Sequence, residues 1–77
     1  MQAVDWNVED LAIDQCIHRE TGVNGELEMT VQRWRKSIVL ATVVHNNVVI
    51  RNSVHRKLSV ARRRCEETRV ELIRKRR

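Results

Sequence analysis

Proline, phenylalanine and tyrosine do not occur in these 77 residues, and tryptophan, glycine and cysteine occur twice each. Without proline, nothing in the chain removes a helical hydrogen bond or clashes with a preceding turn. With Trp6 and Trp34 as the sole aromatics, the usual platform for single-stranded nucleic acid, bases stacked on rings, is nearly missing. Cys16 and Cys65 allow at most one bridge, far from the dense framework of a secreted mini-protein. Met1-Gln2-Ala3-Val4-Asp5 has no basic n-region, and no run approaches the ~20 apolar residues of a membrane span. These absences point to a reducing intracellular compartment, cytoplasm or nucleus, with both thiols free.

The signatures of catalysis are missing too. There is no glycine-rich phosphate loop, no metalloprotease helix and no nucleophile elbow. Cys16, His18, His45, His55 and Cys65 are zinc-ligand types, yet only Cys16 and His18 are locally paired, without the spacing of a closed site. The cysteines read better as small core residues and His45 as a helix end. The expectation is a non-enzymatic protein with no cofactor, no metal and no small-molecule substrate.

What the chain does have is charge, unevenly placed. Residues 1–30 carry seven carboxylates against Arg19 alone, whereas residues 31–77 carry fourteen bases against Glu66, Glu67 and Glu71. The net charge of +5 therefore conceals a strongly basic second half. Such asymmetry suits nucleic acid or another acidic surface. Eleven of those fourteen bases are arginine, whose planar fork holds phosphate with paired hydrogen bonds.

Periodicity favours helices. Asn7 suits an N-cap, with Glu9 and Asp10 in a first turn and Trp6 and Leu11 at staple spacing. Val8, Leu11, Ala12 and Cys16, widened by Ile13 and Ile17, form one face, and Thr21-Gly22 is a stop. A second stripe, Leu27, Val31, Trp34, Ile38, Ala41 and His45, places Trp34 in the core. Around it, Val39, Leu40, Val43 and Val44 make the segment apolar on all sides, as in a buried helix. The last stripe, Val54, Leu58, Ala61, Cys65, Thr68 and Leu72, is a narrow seam of the a/d kind, with Asn52 or Ser53 as its cap. A competing reading makes residues 37–44 and 48–54 β-strands, because both are rich in β-branched residues and His45-Asn46-Asn47 suits a hairpin turn. The unbroken stripe from Leu27 to His45 favours the helix. The expected fold is all-α: a short helix and then an antiparallel helical hairpin, in a single domain spanning residues 1–77. A core this small is marginal alone, so the hairpin is expected to dimerise into a helical bundle.

On such helices Arg51, Arg56, Arg62, Arg63, Arg64 and Arg69 line the exposed rows, assisted by Arg33, Arg35 and Lys36. They are the candidate nucleic-acid-binding residues. Rigid basic rows with few aromatics suit a duplex, RNA slightly ahead of DNA, gripped by its phosphates. Contact with six to ten phosphates would weaken binding ~10³–10⁵-fold between 50 and 200 mM salt. The layout, a short basic helical dimer on a duplex, resembles the small viral suppressors of RNA silencing that sequester double-stranded RNA. That resemblance implies sequestration by shape, through phosphate and 2′-hydroxyl contacts. Two alternatives remain open. His18 to Asn24 resembles the turn of a helix-turn-helix, with Thr30, Gln32, Arg33 and Arg35 on a recognition helix for DNA. Otherwise the basic helix docks on an acidic protein partner in a larger assembly.

Overall fold

The computed structural model describes Val4, residues 6–10 and residues 15–75. It is a five-stranded antiparallel meander followed by one helix, not an all-α hairpin. The strands are β1 (Asn7–Asp10), β2 (Gln15–Thr21), β3 (Glu26–Arg35), β4 (Ile38–His45) and β5 (Val48–His55), and the helix is α1 (Leu58–Lys75). Sheet order follows chain order, so every connection links neighbours.

The sheet arises from alternation with period two. In β3, Leu27, Met29 and Val31 are buried while Glu28, Thr30 and Gln32 between them are not. In β4, Val39, Ala41 and Val43 are buried in the same rhythm. The register sets Val31 opposite Ala41 and Met29 opposite Val43, so both sets share one face. This alternation overturns the expected second helix. Its stripe from Leu27 to His45 crosses from one sheet face to the other, and Trp34 is 58% exposed rather than core. The competing hairpin is what forms: Asn46 and Asn47, with φ of 52° and 65°, make a two-residue turn with both central residues left-handed. That geometry matches the twist of the flanking strands, and asparagine tolerates it best after glycine.

The expected first helix is replaced by β1 and β2, which pair with Val8 opposite Cys16. Leu11, Ala12 and Ile13, three members of its stripe and one half of the staple, lie outside the described residues. Trp6 is instead held from the far end of the chain: its indole N–H donates to Glu66 Oε1 at 3.0 Å, and it packs beside the core. The helix-turn-helix falls with the same finding, because His18 to Asn24 is the end of β2 and a loop, and its recognition residues lie on β3.

The last helix exists but begins at Leu58, not near Ser53; Val54 belongs to β5. The rest of the seam is correct as a buried stripe. Ala61, Cys65 and Thr68 are buried, and Leu58 and Leu72 pack at the margin. Its partner, however, is the chain's own sheet: Val23, Leu27, Met29, Val31, Val39, Ala41 and Val43 complete the core. The small side chains of Ala61 and Cys65 let the helix sit close to the strands. A seam consumed in this way leaves none for a helical-bundle dimer, and the layout shared with silencing suppressors goes with it.

Two loops lock the end of the sheet where β3 begins. Asn46 N–H donates to Glu26 O at 2.9 Å, and Asn46 Oδ1 accepts from Glu26 N–H at 2.9 Å. Gly25, at φ +123°, lies so close that an added Cβ would fall 2.0 Å from Asn46 Oδ1. No side chain fits there. No helix among the described residues is long and apolar enough to cross a membrane.

Candidate nucleic-acid interface

The nine candidates, eight arginines and Lys36, divide into three groups. Arg51, Arg62 and Arg69 turn inward, into the space between α1 and the sheet. Arg69, on α1, binds the Glu20 carboxylate of β2 through both Nε and Nη2, the latter at 3.3 Å. Arg62 Nη2 donates to Cys16 Sγ at 2.7 Å, and Arg51 Nη1 donates to Thr68 Oγ1 at 3.3 Å. These three rivet the helix to β2 on one side and to β5 on the other. The Arg62 and Arg51 Nε atoms are buried without a hydrogen-bond partner among the described residues, a desolvation cost carried by the two guanidinium groups. They are structural arginines.

Arg63 and Arg64 face water on α1, but not in an unrelieved row. Arg64 Nη1 lies 3.5 Å from Glu67 Oε2. A shallow groove beside it is lined by Arg63, Glu66, Glu67, Val70, Glu71 and Arg74, in which the two signs of charge are interleaved. Exposed pairs of this kind contribute little energy and cancel much of the field. Arg76 and Arg77, the end of the C-terminal basic run, lie outside the described residues.

Arg33, Arg35, Lys36 and Arg56 form the third group, and the meander brings them together. β3 ends where the turn Lys36-Ser37 leads into β4, and β5 ends with His55 opposite Val39 at the start of β4. Arg33 is also opposite Val39, so β3 and β5 flank β4 at this end, ~10 Å apart by strand spacing. The segment after β5 adds exposed Arg56 and Lys57 before α1 begins. The result is a basic rim of Arg33, Arg35, Lys36, Arg56 and Lys57. Arg33 Nη1 donates to the Lys36 carbonyl at 3.3 Å and braces the turn. Among the described residues, no carboxylate pairs with Arg35, Lys36, Arg56 or Lys57.

His55 sits just under the rim, its Nε2 2.8 Å from Ser53 Oγ. Burial holds its pKa below the usual imidazole range, and the charges of Arg64 and Arg51 push the same way. The imidazole is therefore neutral at pH 7, and the rim's charge there comes from arginine and lysine. Cys65, deep under α1, is pushed up by burial to about 11 and stays a thiol, a core residue. No group of three or more metal-ligating side chains occurs among the described residues.

The opposite end of the sheet is of the other sign. An open concavity there is lined by Arg19, Glu20, Thr21, Glu26, Leu27, Glu28, Val44 and Asn47. Arg19 is committed there, its Nε donating to Glu28 Oε2 at 2.9 Å. Charge is thus separated along the strands, acidic where β3 begins and basic where it ends.

Lys57 joins the rim beside the nine candidates, and the sequence carries a signal for it. Between Met29 and Cys65 the chain has nine bases and no aspartate or glutamate at all. That acid-free interval contains the whole rim. No protein-family model matches the chain, and no curated protein or solved structure shows significant similarity to it.

Proposed function

We propose that this is a non-enzymatic nucleic-acid-binding protein whose basic rim grips the phosphate backbone. One observation carries the reading: Arg33, Arg35, Lys36, Arg56 and Lys57 come from two separate parts of an acid-free interval and are gathered at one end of the sheet. A face serving solubility alone would interleave acids, as α1 does. Arg33 and Arg35 on β3 and Arg56 just after β5, ~10 Å apart across β4 by strand spacing, present charge and hydrogen-bond donors together, which is what phosphate requires. Grip of this kind positions a strand without reading its bases.

The test is fluorescence anisotropy with ~20-base-pair RNA and DNA duplexes and the matching single strands, titrated across salt. Five phosphate contacts would weaken binding roughly 100- to 500-fold between 50 and 200 mM salt. Affinity that is flat in salt, or equalled by an acidic polypeptide of the same charge, would transfer the rim to a protein partner in a larger assembly.

A further inference from the structure

We infer that Trp34 is a base-stacking residue, so that the rim engages unpaired nucleotides in preference to duplex. The inference deepens the phosphate-binding reading and rests on it.

Trp34 is in an unusual place for its type. The register pairs Arg33 with Val39 and Arg35 with Ile38, which leaves Trp34 as the extra residue of a β-bulge. Lys36 and Ser37 have no positive φ, so their turn lacks the twist of a primed hairpin, and the bulge takes up the mismatch. It also re-aims the side chain. The indole leaves the regular alternation and stays 58% exposed, although a residue of this size ordinarily covers apolar surface. Exposed apolar residues need no explanation in general, and Val48, Val49, Ile50 and Val54 of β5 are exposed as well. Trp34 stands in the β3 part of the rim, next in sequence to Arg33 and Arg35.

Its partner points the same way. The Arg35 guanidinium lies over the ring, 4.7 Å from the centroid. One ring face is thereby covered and the ring held in orientation, while more than half of the residue remains in water. A second planar group has room to stack, flanked by cations that hold the adjoining phosphates. A tryptophan face beside a row of cations brings together the stacking and the charge by which single strands are held. Within a duplex the base faces are occupied by their neighbours, so a stacking residue there finds only ends, bulges or loops. The chain's other indole is not available: Trp6 donates to Glu66 and packs on the core.

The experiment uses the full chain with Trp34→Ala and Trp34→Phe, a 15-nucleotide oligo-dT, an oligo-U of the same length and a 15-base-pair duplex. The wild type is expected to prefer the single strands. Trp34→Ala should lose roughly 10- to 100-fold affinity for single strand, the usual effect of deleting one stacking ring, and less than about 3-fold for duplex. Trp34→Phe should retain most of the affinity. The salt slope should not change in either variant, because the phosphate contacts remain. Oligo-dT should quench the wild-type indole emission and leave that of Trp34→Phe, which reports Trp6 alone, unaltered. If Trp34→Ala binds single strand within 2-fold of wild type at the same salt slope, stacking is wrong and the phosphate grip stands. If no oligonucleotide binds the wild type even at low salt, both readings fall. Should Trp34→Ala not fold, the emission of wild type against Trp34→Phe decides the question by itself.

Discussion

The triple variant Arg35→Glu, Lys36→Glu, Arg56→Glu is expected to lose roughly 10³-fold in nucleic-acid affinity at low salt while keeping its fold. Each site removes a charge-assisted contact and adds repulsion, worth together at least about 1.4 kcal/mol per position. All three side chains are exposed and lack ion pairs among the described residues, so stability should move by no more than about 0.5 kcal/mol for each. The salt slope should also shrink by about one contact for each base removed. Arg63→Glu is the control. It lies on α1 among Glu66, Glu67 and Glu71, where charge is already mixed, and should change affinity by less than about 3-fold. A triple variant that binds as tightly as Arg63→Glu would place the site elsewhere.

The second large effect concerns stability. Arg69→Met removes the guanidinium from a pair whose side chains are 13% and 23% exposed, and leaves the Glu20 carboxylate under the helix without its main partner. The loss should be about 2 kcal/mol, between the values for exposed and fully buried pairs. For a domain of this size that lowers Tm by roughly 8–15 °C. The pH dependence identifies the cause. The Arg69 hydrogen bond, aided by His18, holds the Glu20 pKa below its ordinary value of 4.5 against the opposing effect of burial. A depressed carboxylate contributes stability that is complete above its unfolded pKa and is lost as pH falls through the folded one. The gap in Tm between wild type and Arg69→Met should therefore be full at neutral pH and close progressively below about 4.5. His55 also destabilises the fold as pH falls below its ordinary value of 6.5, because the folded state disfavours its charged form. That effect is common to both proteins and cancels in the difference. A gap independent of pH would mean that Arg69 acts by packing alone.

The same residues show why charge was legible in the sequence and the fold was not. Leu27, Met29 and Val31 alternate with Glu28, Thr30 and Gln32, a plain strand pattern. It was outweighed by a stripe at spacings of three and four, which apolar-rich β4 supplies by chance: with Ile38 to Val44 nearly all apolar, almost any period finds members. The β-branched density and Asn46-Asn47 held the correct signal, and the left-handed φ of both asparagines is its physical content. The helix was visible because Leu58, Ala61, Cys65 and Leu72 face a real core. The identity of that core was not, since a buried stripe has the same spacing whether a sheet or a second helix covers it. Among the arginines, sequence position alone cannot separate Arg69, held by Glu20 from 49 residues away, from Arg35, which lies over Trp34. Trp34 was misplaced for a similar reason. A bulge takes it out of both periods, and no local pattern announces a bulge.

The most direct measurement is a titration of ¹⁵N-labelled protein with the 15-nucleotide oligo-dT, followed by amide and indole chemical shifts. Changes should concentrate at residues 33–37 and 55–57 and at the Trp34 indole N–H, with Glu20 to Glu28 unmoved. Shifts confined to the C-terminal half of α1 or to the acidic end of the sheet, with the rim silent, would contradict it.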